Sequence, residues 1–157
     1  MTLRLLLAGL HVLALGIGLG AVWVRARALR GALDTRGIRQ ALAADAWWGV
    51  AGALWLVTGL VRLFTGVEKG SAYYLGNHVF LAKMALFILI VVLEIRVIRV
   101  LGSWRKALGA GGSADGSAGG GVPDTSAAPG LARISAIQAG IVVVMVFLAV
   151  TMARGVG

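Results

Sequence analysis

The chain contains no cysteine. Disulfides, thiolate metal sites and cysteine nucleophiles are therefore excluded. Charge is scarce as well: 13% of the 157 residues are charged, against about a quarter in an ordinary soluble domain. The sequence also lacks G-x-S-x-G, H-E-x-x-H and a P-loop, and its outer polar cluster lacks the paired carboxylates of acid–base catalysis. Hydrolase chemistry finds no support.

What is present is apolar. Hydrophobic residues make up 59% of the chain and the mean hydropathy is +0.92. They fall in long blocks rather than periodic stripes, which marks an integral membrane protein. The net charge of +9 comes mostly from arginine. These charges flank apolar blocks, so membrane orientation and anionic lipid headgroups account for them, and no nucleic-acid partner is expected.

The expected fold is all-α: an integral membrane four-helix bundle forming one domain over residues 1–157. The helices are expected at about 5–24, 45–64, 72–101 and 133–152. The first block resembles a signal peptide only in its leading Arg4. It has no small-residue cleavage site and leaves through an arginine-rich stretch, so it reads as a retained helix. Gly16 and Gly20 form a small-xxx-small pair suited to close helix contact, and Gly49, Gly52 and Gly59 suggest a packed face on the second helix. Trp23, Trp47 and Trp48 read as interfacial aromatics. Residues 102–131 turn to Gly, Ser, Ala and Pro and read as a flexible linker.

With four spans, the loops after the first and third helices share a side. That side carries ten Lys and Arg residues and the other carries four. By the positive-inside rule the long loops are cytoplasmic and both termini are not, as in a multi-pass protein of a bacterial inner membrane.

Polar residues within the apolar blocks are the functional candidates, because an ionisable group in hydrocarbon is costly. At 1.5 Å per residue, His11 lies about 21 Å and Lys83 about 20 Å from the cytoplasmic exits; His78 comes to about 27 Å and Arg62 to about 26 Å. Tyr74, Asn77 and Glu68 stand just above. Asp45 and Glu94 belong near the cytoplasmic face instead. An outer cluster with two cations, two histidines and one acid is short of negative charge. A haem propionate, a tetrapyrrole carboxylate, a lipid phosphate or a quinone oxygen would balance it. The plainer reading has Arg62 and Lys83 snorkelling to headgroups and His78 solvated.

The stretch from Asp45 to Lys83 carries D-x-x-x-G (Asp45, Gly49), then T-G-L-x-R (Thr58, Gly59, Leu60, Arg62). It continues as K-G-x-x-Y-Y-x-x-N-x-x-F-x-x-K (Lys69, Gly70, Tyr73, Tyr74, Asn77, Phe80, Lys83). With the early His11 in GLHVLAL, this combination resembles the DUF2214 family of predicted bacterial membrane proteins, which supplies no activity. More distantly, the layout is similar to HemJ-type protoporphyrinogen oxidases and CopD copper-resistance proteins. Those share an early histidine and a later basic residue. The chain departs from HemJ in lacking its aromatic-rich motif after the first histidine and its W-x-x-x-K spacing.

The HemJ-type resemblance implies a haem b or tetrapyrrole site around His11 and Lys83. Taken with the outer polar cluster, this gives a first reading: a b-type haem or related tetrapyrrole in the outer half of the bundle. In it His11 is an axial iron ligand and His78 the second, Arg62 and Lys83 hold propionates, and Tyr74 and Asn77 complete the pocket. A redox role with a quinone or other redox partner goes with it. The alternatives are an anion, metal or small-molecule transporter, which in so narrow a bundle calls for a homo-oligomer, and a non-catalytic membrane scaffold.

Overall fold

The computed structural model describes residues 2–65, 75–110 and 123–154. Four helices account for most of them: α1 (Thr2–Ala28), α2 (Thr35–Phe64), α3 (His78–Ala110) and α4 (Ala128–Ala153). The all-α bundle expected from the sequence is present. Three helices, α1, α2 and α4, are long and apolar enough to cross a membrane. Large apolar side chains such as Leu6, Val50, Ile88 and Phe147 face outward, as a lipid-facing surface requires.

Every helix is longer than its apolar block. At 1.5 Å per residue, α2 and α3 reach about 45 and 50 Å, well beyond a hydrocarbon core of about 30 Å. The extensions correct two expectations. The stretch read as a loop before Asp45 holds the first ten residues of α2, capped by Asp34, whose Oδ1 accepts the Gly37 N–H at 2.7 Å. The proposed linker is helical to Ala110, and α4 begins at Ala128 rather than near 133. Between them, Asp124 O accepts the Trp104 Nε1–H at 3.0 Å. The Ser126 backbone N–H and hydroxyl hold the Asp124 carboxyl below the usual carboxylate range. Residues 111–122 of that stretch lie outside the described residues.

These extensions carry the main core. Ala28, Leu29, Ile38, Ala41, Leu101, Trp104, Ala128 and Leu131 are all buried in one cluster. The physical reason is solvent. Outside the hydrocarbon, apolar side chains gain by leaving water, whereas inside it lipid is as apolar as leucine and burial gains little. The bundle is accordingly tight at this end and looser within the membrane.

The packing is uneven around the bundle too. α1 packs along α2, α4 packs against both α1 and α3, and α2 and α3 scarcely touch. The helices thus follow the spatial order α2, α1, α4, α3, with a seam open between the two ends of the series. Close approach between α1 and α2 occurs at Gly18, where an added Cβ would meet the Trp48 ring at 3.4 Å and Ala51 at 3.5 Å. Gly16 and Gly20, expected at a contact, have open space instead, as do Gly49 and Gly52.

Gly37 is confined in a different way. A Cβ there would run into the Ala32 carbonyl, which is backbone and cannot swing aside. Gly37→Ala is expected to destabilise the protein by about 1–3 kcal/mol, as overpacking does. Thermal unfolding in detergent checks this, and an unchanged midpoint would contradict the tight turn into α2.

Candidate functional site

One buried polar cluster ties all four helices together, and its centre is Arg25. The last turn of α1 places this guanidinium inside the bundle with no exposure. All five of its N–H donors are used. Nε donates to Ser135 Oγ at 3.0 Å; Nη1 donates to Asp45 Oδ1 at 2.6 Å and Glu94 Oε1 at 2.8 Å; Nη2 donates to Glu94 Oε2 at 3.0 Å and Gln138 Oε1 at 2.6 Å. Gln138 Nε2 donates in turn to Glu94 Oε2 and to the Ile90 carbonyl. The second Asp45 oxygen accepts from Arg105 Nη2 at 2.6 Å, a bridge from α2 to α3. The Arg25 guanidinium also lies 5.8 Å from the centre of the Trp48 ring. Two cations and two carboxylates balance, and the Arg25 donors are saturated. Such a cluster fixes helix register.

Sequence reasoning treated these residues separately. By sequence, Arg25 belongs to the arginine-rich exit of the first helix, Asp45 and Glu94 to the rim, and Trp48 to the interfacial aromatics; the structure instead buries Arg25 and sets Trp48 beside it. The signal was available. Asp45 and Glu94 are the only acids within the apolar blocks, and both fall at the height of Arg25. Ser135 and Gln138, three apart, share one face of α4.

Next to this cluster, in the seam between α2 and α3, lies a cavity of about 690 Å³. Its floor is formed by Asp45, Glu94 and Arg105; Trp48, Trp55 and Phe87 supply aromatic walls; Ala46, Gly49, Gly52 and Ala53 form a low wall on α2. This size is within the range of small-molecule sites, about 300–1,000 Å³. Among the described residues, none of those expected to bind a cofactor lines it.

Those residues sit elsewhere. His11 is half-buried, stacked on Trp55 with ring centres 5.1 Å apart, and its Nδ1 lies 2.8 Å from Thr58 Oγ1. The Thr58 hydroxyl also reaches the Leu54 carbonyl at 2.8 Å and the Trp55 carbonyl at 3.1 Å. Gly59 makes room for this ring: an added Cβ would stand 3.3 Å from His11 Cε1. Lys83 is buried on α3, within Coulombic reach of half-buried Arg62. Asn77 caps α3 through its Oδ1, which accepts the Phe80 N–H at 3.0 Å; its buried Nδ2 has no hydrogen-bond partner among the described residues. His78, the first residue of α3, is exposed. Tyr74 and Glu68 lie outside the described residues. Among the described residues, no three His, Cys, Asp or Glu side chains group as a metal site would require.

The family model described as predicted membrane protein (DUF2214) matches residues 3–157, almost the entire chain. The chain belongs to the DUF2214 family. Comparison with curated proteins and with solved structures returned no match. The resemblance to HemJ-type and CopD proteins finds no support in these comparisons. For this DUF2214 protein, then, membership establishes a membrane protein, and the chemistry has to be argued from the site.

Proposed function

We propose that this DUF2214 protein is a membrane-embedded binding protein, which takes a lipophilic molecule from the bilayer into the seam between α2 and α3. The single observation that carries this reading is the 690 Å³ cavity, apolar along its walls and charged at its floor, between two helices that scarcely touch. An aqueous transport path fits less well, because the charged groups at the floor are already paired with one another. In this reading the charge bias of the loops supports a floor on the cytoplasmic side of a bacterial inner membrane. Arg25 and Arg105, two of the ten cations on that side, are taken up by ion pairs. The other eight still outnumber the four opposite.

Mass spectrometry of lipophilic molecules retained by the purified protein tests the proposal. Gly52→Leu projects a side chain into the cavity from a position where a Cβ meets nothing, so folding should be unaffected. A species present at constant ratio in the native protein should be lost from this variant. Equal retention by both would overturn the reading.

A b-type haem is a second reading, favoured by one observation. The Thr58 contact at Nδ1 and the stacking on Trp55 hold the His11 ring in one orientation, as an iron ligand requires. The fit is partial. Lys83 and Arg62 could hold propionates, but the cavity ends at Trp55 rather than at His11, and exposed His78 makes a poor second ligand. A bound haem would supply one-electron redox chemistry. Protein purified from haem-replete cells would then show a Soret band, absent in His11→Ala; a colourless preparation would end this reading.

A further inference from the structure

Resting on the seam as a ligand site, we propose that its occupant is a membrane quinone. The ring would lie over the Arg105 end of the cavity, with the isoprenoid tail running along α2 and out between α2 and α3.

Charge narrows the chemistry first. The floor presents Asp45 and Glu94 as well as Arg105, and with Arg25 behind them the group sums to neutrality. A phosphate or carboxylate headgroup entering here would face two carboxylates and gain no unmatched cation. A neutral head avoids that repulsion.

Hydrogen bonding narrows it further. The five Arg25 donors are all engaged, whereas Arg105 gives one N–H to Asp45 and remains 47% exposed. The floor therefore offers donors from Arg105 alone, and the matching ligand group is an uncharged acceptor such as a ring carbonyl.

Shape supplies the third constraint. Trp48, Trp55 and Phe87 line the walls with aromatic carbon, against which a planar ring and unsaturated tail units can pack. Gly49 and Gly52 face open space, leaving a slot in α2 without side chains. From Asp45 to Leu56 the slot extends eleven residues, about 16 Å. A tail longer than that passes laterally into lipid, because α2 and α3 do not close over it.

The test is quenching of tryptophan fluorescence by a decyl-tailed benzoquinone, with protein in lipid nanodiscs. The expected result is saturable quenching through Trp48 and Trp55. Affinity should fall tenfold or more in Arg105→Met, recover partly in Arg105→Lys, and be lost in Gly52→Leu. Oleate and phosphatidylglycerol should not compete. If those lipids saturate the seam and the quinone does not, the occupant is a lipid; the quinone assignment falls while the seam site stands. If Arg105→Met binds the quinone as the native protein does, the placement of the ring is wrong. If no probe saturates and Gly52→Leu changes nothing, both the quinone and the seam site are overturned. That last result is also the one expected if a second copy of the chain covers the seam.

Discussion

Arg25→Met is expected to lower stability by about 3–5 kcal/mol, the loss typical of breaking a buried ion pair from one side. The guanidinium is fully buried, and its removal leaves Asp45 at 6% exposure and Glu94 at 14% without their central counter-charge. Gln138 Oε1 and Ser135 Oγ lose their donor as well. A methionine fills similar volume, so a cavity contributes little and the uncompensated charge dominates. Two further variants separate these effects. Arg25→Lys keeps the charge but brings three donors where five are used, and should fall between the native protein and Arg25→Met. Adding Asp45→Asn and Glu94→Gln to Arg25→Met removes the buried charges and should restore much of the loss. Unfolding midpoints in a detergent titration read all three. A single variant as stable as the native protein would mean that the cluster does not hold the helices.

Trp104→Ala should have an effect of similar size for a different reason. Trp104 is 2% exposed in the core built from the helix extensions, and its Nε1–H reaches the Asp124 carbonyl. Truncating a buried tryptophan costs about 3–5 kcal/mol through lost transfer energy and the cavity left behind. The value should be full rather than reduced if the helix extensions that build this core project beyond the hydrocarbon, where the alternative to burial is water. Trp47→Ala is the control. Trp47 is 61% exposed on α2, and its removal should change stability by less than about 0.5 kcal/mol. If both substitutions act alike, the main core does not lie where the helix ends meet.

Much of the molecule was legible before any coordinates. Composition and the long apolar blocks determined a membrane protein, all helical, with four helices in the order found. The motif run from Asp45 to Lys83 pointed to the family. The errors share a cause: hydropathy marks where a helix meets lipid, not where it ends. Ile38, Ala41 and Asp45 already repeat at helical spacing after the Asp34 cap, yet Arg36 and Arg39 made the stretch read as a loop. The same bias hid Trp104 inside a supposed linker.

The site divides along the same line. Residue types alone identified His11, Lys83 and Asn77 as groups that need partners, because an isolated polar side chain in an apolar block is costly wherever the fold puts it. Which groups meet was decided only by the tertiary structure. Arg25 is separated by 20 residues from Asp45, by 69 from Glu94 and by 113 from Gln138, and no local pattern links them. The seam likewise follows from the spatial order of the helices, since α4, last in the chain, inserts between α1 and α3 and leaves α2 and α3 apart. Burial cost is a property of each residue, so the sequence determines it; partner choice and empty space are properties of packing, and only the assembled bundle has them.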